Sequence, residues 1–305
     1  MRIAVVGSGG VGGYFGGRLA AAGTDVTFLA RGAHLAAMRA RGLRITSPKG
    51  DVHLATVKAE SDPAAVGPVD VVFFAVKLYD TESALALLPP LVGPGTVVIG
   101  FQNGVETIGT LNRAVGAAHA AGGVSYVSAV IAEPGVIRHT AMDHLIFGEQ
   151  DGSRSPRLEA LLKACRPAGF QSTLSTDITV EIWTKFVRLS VFSGMTAVTR
   201  SPIGVIVNDP ELLEMLKAAV RETLAVAHAK GVMVASGIDE DVARAYKALP
   251  PQAKASMLED LERGRRIELP WLSGAVVRLG KEAGVPTPTH SFIATVLKPH
   301  VNGAL

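Results

Sequence analysis

Short runs of β-branched and apolar residues alternate with helix-compatible stretches through the first half of the chain. The runs that the pattern predicts as strands are Arg2 to Val6, Asp25 to Ala30, Val69 to Val76 and Thr96 to Phe101. Strands separated by helical segments are typical of a parallel sheet with crossover helices. We therefore expect an α/β domain of the Rossmann type in this half.

Three further strand patterns follow at short spacing, at Gly122 to Ala132, Gly135 to Thr140 and His144 to Glu149. The turn-forming pair Pro134-Gly135 lies between the first two of them. Strands that follow one another so closely are joined by hairpin turns. The pattern therefore predicts antiparallel additions to a mostly parallel sheet.

The second half of the chain carries a different pattern. Beyond about Ser175, helix-forming residues at helical spacing continue almost to the end, interrupted by proline and glycine. The sequence thus predicts a dinucleotide-fold sheet domain over residues 1–172 and an all-helical domain over residues 173–305. The length of 305 residues is about twice the ~150 residues of a typical domain, which agrees with this division.

The amino-acid composition excludes some classes of protein and argues against others. Hydrophobic residues make up 48% of the chain and charged residues 19%, which excludes a disordered or fibrous protein. The formal net charge of +3 argues against a dedicated nucleic-acid binder. The single cysteine, Cys165, can form neither an internal disulfide nor a thiolate metal cage, and this cysteine usage suits a reducing compartment.

Targeting and metal signals are absent from the pattern as well. The N-terminal residues enter the first strand directly, without the features of an export signal. The longest uncharged run, Ser83 to Val105, is broken by prolines and glycines, so we expect no membrane span. His139 and His144 fall on different predicted strands, and we expect no metal site. The expected location is the cytoplasm.

A glycine-rich turn joins the first predicted strand to the first predicted helix. Its residues are Gly7, Ser8, Gly9, Gly10, Val11 and Gly12. They match G-x-G-x-x-G in the strand–turn–helix context that dinucleotide binding requires. Gly7 permits the tight turn, Gly9 the close approach of a pyrophosphate, and Gly12 close packing of the helix on the strand. The turn therefore predicts a dinucleotide site at the helix N-terminus; the alternative is a purely structural turn.

The end of the second predicted strand bears on which dinucleotide binds. An Asp or Glu there accepts hydrogen bonds from a ribose 2′-hydroxyl, whereas an Arg accommodates a 2′-phosphate. Residues 26–50 contain no acidic residue, and Arg31 stands just after the strand. We therefore expect Arg31 to bind a 2′-phosphate and the protein to use NADP(H).

Two polar residues follow the other predicted parallel strands. Lys77 comes directly after Val76, and Asn103 lies two residues beyond Phe101. Ligands of open α/β sheets collect at the carboxyl ends of the strands. Lys77 is thus either a surface charge or a cofactor contact. Asn103, which precedes a glycine, is either a turn residue or a ligand contact.

A lysine lies within the apolar stripe of the helix predicted after Asp177. At about 100° per residue, Lys185 falls within roughly 20° of Ile178 on the helical wheel. Its stem could pack while its ammonium reaches water. Alternatively, apolar surroundings hold the ammonium and lower its pKa, which favours proton transfer near neutral pH. The pattern alone leaves both interpretations open.

Together these separated features resemble the 2-dehydropantoate 2-reductase (ketopantoate reductase) family over essentially the whole chain. They are the glycine-rich turn, Arg31-Gly32, Val76-Lys77, Gln102-Asn103-Gly104, Ile182-Trp183-x-Lys185-Phe186, and Ala255-Ser256-Met257-x-x-Asp260 leading to Gly264-Arg265-x-x-Glu268. The resemblance implies a Rossmann domain followed by a helical domain, in a 6-phosphogluconate-dehydrogenase-like arrangement. It implies NADPH-dependent reduction of 2-dehydropantoate to pantoate, on the route to pantothenate and coenzyme A, with Arg31 and Lys77 as cofactor contacts.

The resemblance also implies roles at the substrate. Lys185 corresponds to the general acid that protonates the carbonyl oxygen as hydride arrives. Glu268 corresponds to a glutamate that hydrogen-bonds the substrate hydroxyl, and Ser256 to a serine that binds its carboxylate. Asn103 corresponds to an asparagine near the nicotinamide and the substrate.

Three positions depart from the pattern of some family members. Leu189 and Ser193 stand where those members carry asparagines, and Pro270 stands where they carry an acid. Lost hydrogen-bond partners discriminate strongly between substrate analogues. Three functions therefore stay open: reduction of 2-dehydropantoate, reduction of another 2-oxo acid, and dinucleotide binding without turnover. The apolar helical half is compatible with a homodimer.

Overall fold

The computed structural model describes residues 1–235 and 237–304, and these form two compact units. The first unit comprises Met1–Gln102 and Glu106–Glu181. The second comprises Asn103–Val105 and the described residues from Ile182 onward. The predicted succession of an α/β sheet fold and a helical fold is confirmed. The domain bounds expected at residues 172 and 173 stay a prediction, because the two units interleave at Asn103–Val105.

The sheet of the first unit has ten strands among the described residues. They are β1 Arg2–Val6, β2 Asp25–Leu29, β3 Leu43–Thr46, β4 Val52–Leu54, β5 Lys58–Glu60, β6 Val69–Phe74, β7 Val92–Gly100, β8 Ala120–Glu133, β9 Val136–Gly148 and β10 Gln171–Leu174. The strand order is β4-β3-β9-β8-β7-β6-β1-β2-β5, and β10 pairs with β9.

The central part of the sheet is parallel. Strand β1 pairs in parallel with β2 and β6, β6 with β7, and β7 with β8, whereas β8 and β9 are antiparallel. The predicted mostly parallel sheet with antiparallel additions is thus confirmed. Because parallel strands share a direction, the turns that follow β1, β6 and β7 lie at one edge of the sheet.

Helices cover the parallel strands on both faces. Those of the first unit are α1 Gly10–Ala21, α2 Gly32–Arg41, α3 Thr81–Leu85, α4 Thr107–Val115 and α5 Pro156–Cys165. Along β6 the side chains alternate between two cores: Val71 and Phe73 belong to one, Val72 and Phe74 to the other. A strand that is buried on both faces has a continuous run of apolar residues, and β6 was therefore predictable from its sequence.

Strand β9 differs from its prediction as two strands. It runs without interruption through Met142, whose φ is 57°. The pairing of β8 with β9 shifts in register beside this residue, at Val127 and Ser128. His139 and His144 therefore lie on one strand, not on two as the sequence suggested.

From residue 178 onward the described chain is helical. The helices are α6 Ile178–Thr199, α7 Ile203–Asn208, α8 Pro210–Ala229, α9 Ile238–Lys247, α10 Ser256–Glu262, α11 Ser273–Ala283 and α12 Pro288–Leu297. Asp177 caps α6, since its Oδ1 accepts the Val180 N–H at 3.1 Å. None of the helices in the described ranges is long and apolar enough to cross a bilayer.

Candidate active site

The glycine-rich turn after β1 has the geometry that its sequence predicted. Gly7 has a φ of +100°, and a Cβ there would lie 2.6 Å from the Val76 nitrogen, so this position requires glycine. A Cβ on Gly12 would overlap the Gly7 carbonyl oxygen and lie 2.6 Å from Val5 Cγ1, which shows how closely α1 packs on the strand. A Cβ on Gly9 would meet nothing within 4 Å. The space over Gly9 is therefore open to a ligand.

The remaining residues of the turn are held by the protein itself. A Cβ on Gly10 would overlap the carbonyl oxygen of Ala129 in β8, so this glycine serves the fold. Sequence analysis could not find that reason, because Ala129 is distant in the chain. The buried Ser8 hydroxyl donates to the Leu29 carbonyl at 2.9 Å, and Val11 packs against the core.

The start of α1 offers hydrogen-bond donors to an anion. Its first intrahelical bond runs from the Gly13 N–H to the Gly9 carbonyl at 2.7 Å. The N–H groups that precede Gly13 in the helix have no intrahelical acceptor, and the helix dipole favours negative charge at this end. Open space over Gly9 together with these donors fits the pyrophosphate of a dinucleotide.

Two cationic residues follow strands at the same sheet edge. Arg31 is the residue before α2, and its side chain is 80% exposed. Its Nη2 lies 3.0 Å from Oδ2 of Asp80, to which sequence analysis assigned no role. Lys77 is exposed and lies three residues beyond β6. Both residues follow strands at the expected edge of the sheet, but β6 ends at Phe74 and not at Val76, so Lys77 does not directly follow the strand as predicted.

Gln102 joins two of the loops at this edge of the sheet, a role that its position in the sequence does not predict. Its buried amide donates to the Val76 carbonyl at 3.1 Å and to the Thr81 hydroxyl at 2.9 Å. The Thr107 hydroxyl in turn donates to its Oε1 at 3.2 Å. Gln102 thus ties the segment after β7 to the segment after β6, and so fixes the chain immediately before Asn103.

The second unit brings together three of the predicted site residues. The Nζ of Lys185, on α6, donates to Oδ1 of Asn103 at 3.0 Å. Nδ2 of the same amide donates to Oε2 of Glu268 at 3.2 Å. Glu268 is only 5% exposed and precedes the short 3₁₀ turn Leu269–Trp271. A cation, a neutral amide and a buried carboxylate therefore lie in one hydrogen-bonded row.

The surroundings of Lys185 lower the pKa of its amine and so favour the uncharged form. Burial lowers the pKa of Lys185 to about 8 from its ordinary value of 10.5, because removal from water disfavours the ammonium. The negative charge of Glu268 acts in the opposite direction, with a smaller effect. On the same helix Trp183 and Phe186 are buried, with ring centroids 5.6 Å apart. An amine of this pKa can give or take a proton near neutral pH.

Ser256 is the remaining residue expected at the substrate, and three other positions depart from the pattern of some family members: Leu189, Ser193 and Pro270. Ser256 is exposed at the first position of α10. Leu189 is half-buried on α6, and Pro270 lies in the turn directly after Glu268. The Ser193 hydroxyl is buried and has no hydrogen-bond partner among residues 1–235 and 237–304.

Across those same ranges, no group of three His, Cys, Asp or Glu side chains is arranged to hold a metal ion. His139 is buried, and its Nδ1 lies 2.8 Å from the Ser47 hydroxyl. His144 Nε2 lies 2.8 Å from the Thr173 hydroxyl on β10. Both histidines therefore form hydrogen bonds with residues of the same sheet domain.

Comparison with known proteins gives consistent matches over both units. Residues 3–152 match the family profile described as "Ketopantoate reductase PanE/ApbA", and residues 177–301 match "Ketopantoate reductase PanE/ApbA C terminal". A 2-dehydropantoate 2-reductase of Mesorhizobium japonicum is 33% identical over 98% of this chain and 97% of its own.

Solved structures share the fold. A PanE/ApbA family ketopantoate reductase from Ralstonia eutropha has a TM-score of 0.91 at 31% identity and covers 99% of this chain and 98% of its own. D-mandelate dehydrogenase, solved with NADH and anilino(oxo)acetate, has a TM-score of 0.89 at 20% identity, with 99% and 98% covered. At 20% identity, the similarity to D-mandelate dehydrogenase concerns the fold alone.

Proposed function

The chain belongs to the ketopantoate reductase family of oxidoreductases, and on that premise we propose that it reduces 2-dehydropantoate to pantoate with NADPH. The observation that carries the proposal is the row of Lys185, Asn103 and Glu268. A buried proton donor with a pKa of about 8 is the group that carbonyl reduction requires. The reaction would lie on the route to pantothenate and coenzyme A.

The first unit supplies the residues suited to hold the cofactor. The N–H groups at the start of α1 and the open space over Gly9 suit the pyrophosphate. Arg31 and Lys77, which follow β2 and β6, are cations suited to a ribose 2′-phosphate. When bound, NADPH supplies the hydride that reduces the carbonyl carbon.

Lys185 supplies the other half of the reduction. Its ammonium donates a hydrogen bond to the substrate carbonyl oxygen and stabilises the negative charge that grows there. The proton then passes from Nζ to that oxygen, so that a hydride on the carbon and a proton on the oxygen convert the carbonyl group into a secondary alcohol. The neutral amine left behind regains its proton from water. With a pKa of about 8, both forms of the amine are accessible near neutral pH.

Asn103 and Glu268 position the donor and the substrate. The Asn103 carbonyl oxygen accepts from Nζ and so fixes the direction of the ammonium. The Glu268 carboxylate favours the protonated form of Lys185 and can accept a hydrogen bond from the substrate hydroxyl. Ser256, exposed at the start of α10, is the residue we assign to the substrate carboxylate.

A second candidate function is reduction of a less polar 2-oxo acid by the same residues. The observation in its favour is that Leu189 lies one turn after Lys185 on α6 and Pro270 lies two residues after Glu268. Both side chains are apolar and offer no hydrogen bond to a substrate hydroxyl. A pocket that lacks such a partner discriminates weakly against substrates without the hydroxyl.

The deciding experiment is NADPH oxidation with 2-dehydropantoate, 3-methyl-2-oxobutanoate and phenylglyoxylate, run beside NADH. If kcat/KM for 2-dehydropantoate exceeds that for both other acids by at least about tenfold, the first function stands. If one of the others is reduced faster, the second function stands. Tight binding of NADPH without turnover of any of these acids would contradict both functions and indicate a dinucleotide-binding protein.

A further inference from the structure

The guanidinium of Arg31 forms an ion pair with the carboxylate of Asp80 at the edge of the sheet where the strands end. Its Nη2 lies 3.0 Å from Oδ2 of Asp80. Arg31 follows β2, Asp80 follows β6, and in the sheet β1 lies between these two strands. The ion pair therefore joins the segments that follow two strands about 10 Å apart, which flank β1 and its glycine-rich turn.

Asp80 is held more firmly than its partner. Its side chain is 28% exposed, against 80% for Arg31. Asp80 ends a 3₁₀ turn that begins at Leu78, and its N–H donates to the Lys77 carbonyl at 2.9 Å. Its own carbonyl accepts the Ser83 hydroxyl at 2.9 Å. The backbone of Asp80 is thus fixed at the sheet edge, and the longer and more exposed arginine has the greater freedom to change its position.

The fold supplies at this edge the acid that β2 lacks. In dinucleotide folds an Asp or Glu at the end of the second strand accepts hydrogen bonds from the ribose hydroxyls. Residues 26–50 contain no acid, but the carboxylate of Asp80, 49 residues beyond Arg31, lies 3.0 Å from the guanidinium of that arginine. A carboxylate there accepts a 2′-hydroxyl and repels a 2′-phosphate, which carries about two negative charges.

We propose that Asp80 is a specificity-determining residue that lowers the preference for NADPH over NADH. The inference rests on the proposed function, in which Arg31 contacts the 2′-phosphate. Binding of NADPH requires Arg31 to leave Asp80 or to be shared with it. Binding of NADH leaves the ion pair in place, and Asp80 can accept the 2′-hydroxyl. The protein therefore uses both dinucleotides more evenly than Arg31 and Lys77 alone would dictate.

The test compares Asp80→Asn, Arg31→Ala and the double variant in the full-length protein. The Kd values of NADPH and NADH are measured by calorimetry without substrate, at one fixed ionic strength because salt screens exposed charges. The matched control is Asp25→Asn. Asp25 is also paired, with Lys58 at 2.8 Å, but it lies at the start of β2, at the opposite edge of the sheet.

Asp80→Asn should tighten NADPH binding roughly tenfold, because a negative charge near the phosphate is removed. It should weaken NADH binding about threefold, through loss of a charged hydrogen-bond acceptor. In the Arg31→Ala background the gain for NADPH should shrink, since part of it comes from release of the arginine. Asp25→Asn should leave the ratio of the two Kd values within about twofold of the parent.

The possible results distinguish a failure of the role proposed for Asp80 from a failure of the proposed function. If Arg31→Ala weakens NADPH but Asp80→Asn leaves the ratio unchanged, or changes it no more than Asp25→Asn does, the role of Asp80 is wrong and the proposed function stands. If neither dinucleotide binds the parent protein, the proposed function and the role of Asp80 are both overturned. If NADPH binds and Arg31→Ala does not alter its Kd, the role of Asp80 is wrong, whereas the reduction assigned to Lys185 stands. An unchanged melting temperature of Asp80→Asn identifies the altered ratio as a local effect.

Discussion

The ammonium of Lys185 donates a hydrogen bond to the side-chain oxygen of Asn103 across 3.0 Å, although 82 positions separate the two residues. An amide oxygen orients the ammonium without competing for its proton. The other end of the same amide donates to Glu268, so that Asn103 lies between a cation and a buried carboxylate. The direction of the donor and its proton affinity are thereby set by different residues.

The role of Glu268 can be separated from its packing with Glu268→Gln. The amide still accepts from Asn103, but the negative charge that favours the ammonium is gone, so the pKa of Lys185 should fall further below about 8. The descending limb of the kcat–pH profile for reduction should move to lower pH by roughly one unit. Glu282→Gln is the control, since Glu282 is an exposed partner of Lys230 on the same unit. A limb that stays in place or rises would show that Glu268 does not act on the donor's charge.

The two directions of the reaction should respond oppositely to pH. Reduction needs protonated Lys185, and its pKa is lowered to about 8 by burial, so the rate of reduction should fall as pH rises through about 8. Oxidation of pantoate by NADP⁺ needs the neutral amine and should rise across the same interval. The measurement is kcat for both directions between pH 6 and pH 10, a range of about two units on each side of that pKa. If kcat changed with pH in the same direction for both reduction and oxidation, another group would be the one that carries the proton.

The glycines of the turn should separate binding from stability. Gly9→Ala places its methyl group in open space, so the melting temperature should change by no more than about 1 °C while dinucleotide affinity falls at least about tenfold. Gly12→Ala drives its methyl group into the Gly7 carbonyl and Val5, and should destabilise the fold by about 1–3 kcal/mol. Thermal unfolding and calorimetric binding of NADPH measure the two effects. Loss of stability in Gly9→Ala would contradict the assignment of that space to a ligand.

Several strands of the sheet could be predicted from the local pattern of apolar residues. Strand β1 was predicted with its observed ends, and the interior strands β6 and β7 were found because burial on both faces gives long apolar runs. Strands β3, β4, β5 and β10 were missed. Each has only three or four residues with mixed polarity, and such a segment becomes a strand only through the neighbour with which it pairs.

The site was predictable only in part, for a similar reason. The apolar stripe marked Lys185 before any fold was known, but the pattern could not decide between an enclosed ammonium and a solvated one. Its contact with Asn103, the overlap of Gly10 with Ala129, and the ion pair of Arg31 with Asp80 all join residues distant in sequence. Such contacts depend on how strands and helices are arranged in space, and no single segment of the chain contains that information.

The most direct test of the account is the turnover of Lys185→Ala with 2-dehydropantoate and NADPH, beside the exposed Lys281→Ala as control. We expect kcat to fall by roughly 10²–10⁴-fold, with the Kd of NADPH within about twofold of the parent, because the lysine acts on the carbonyl oxygen. Lys185→Arg should not restore the rate, since a guanidinium stays protonated up to about pH 12 and does not release its proton near neutral pH. A Lys185→Ala enzyme that retains the parent's kcat would remove the proton donor from the proposed reaction and contradict the account.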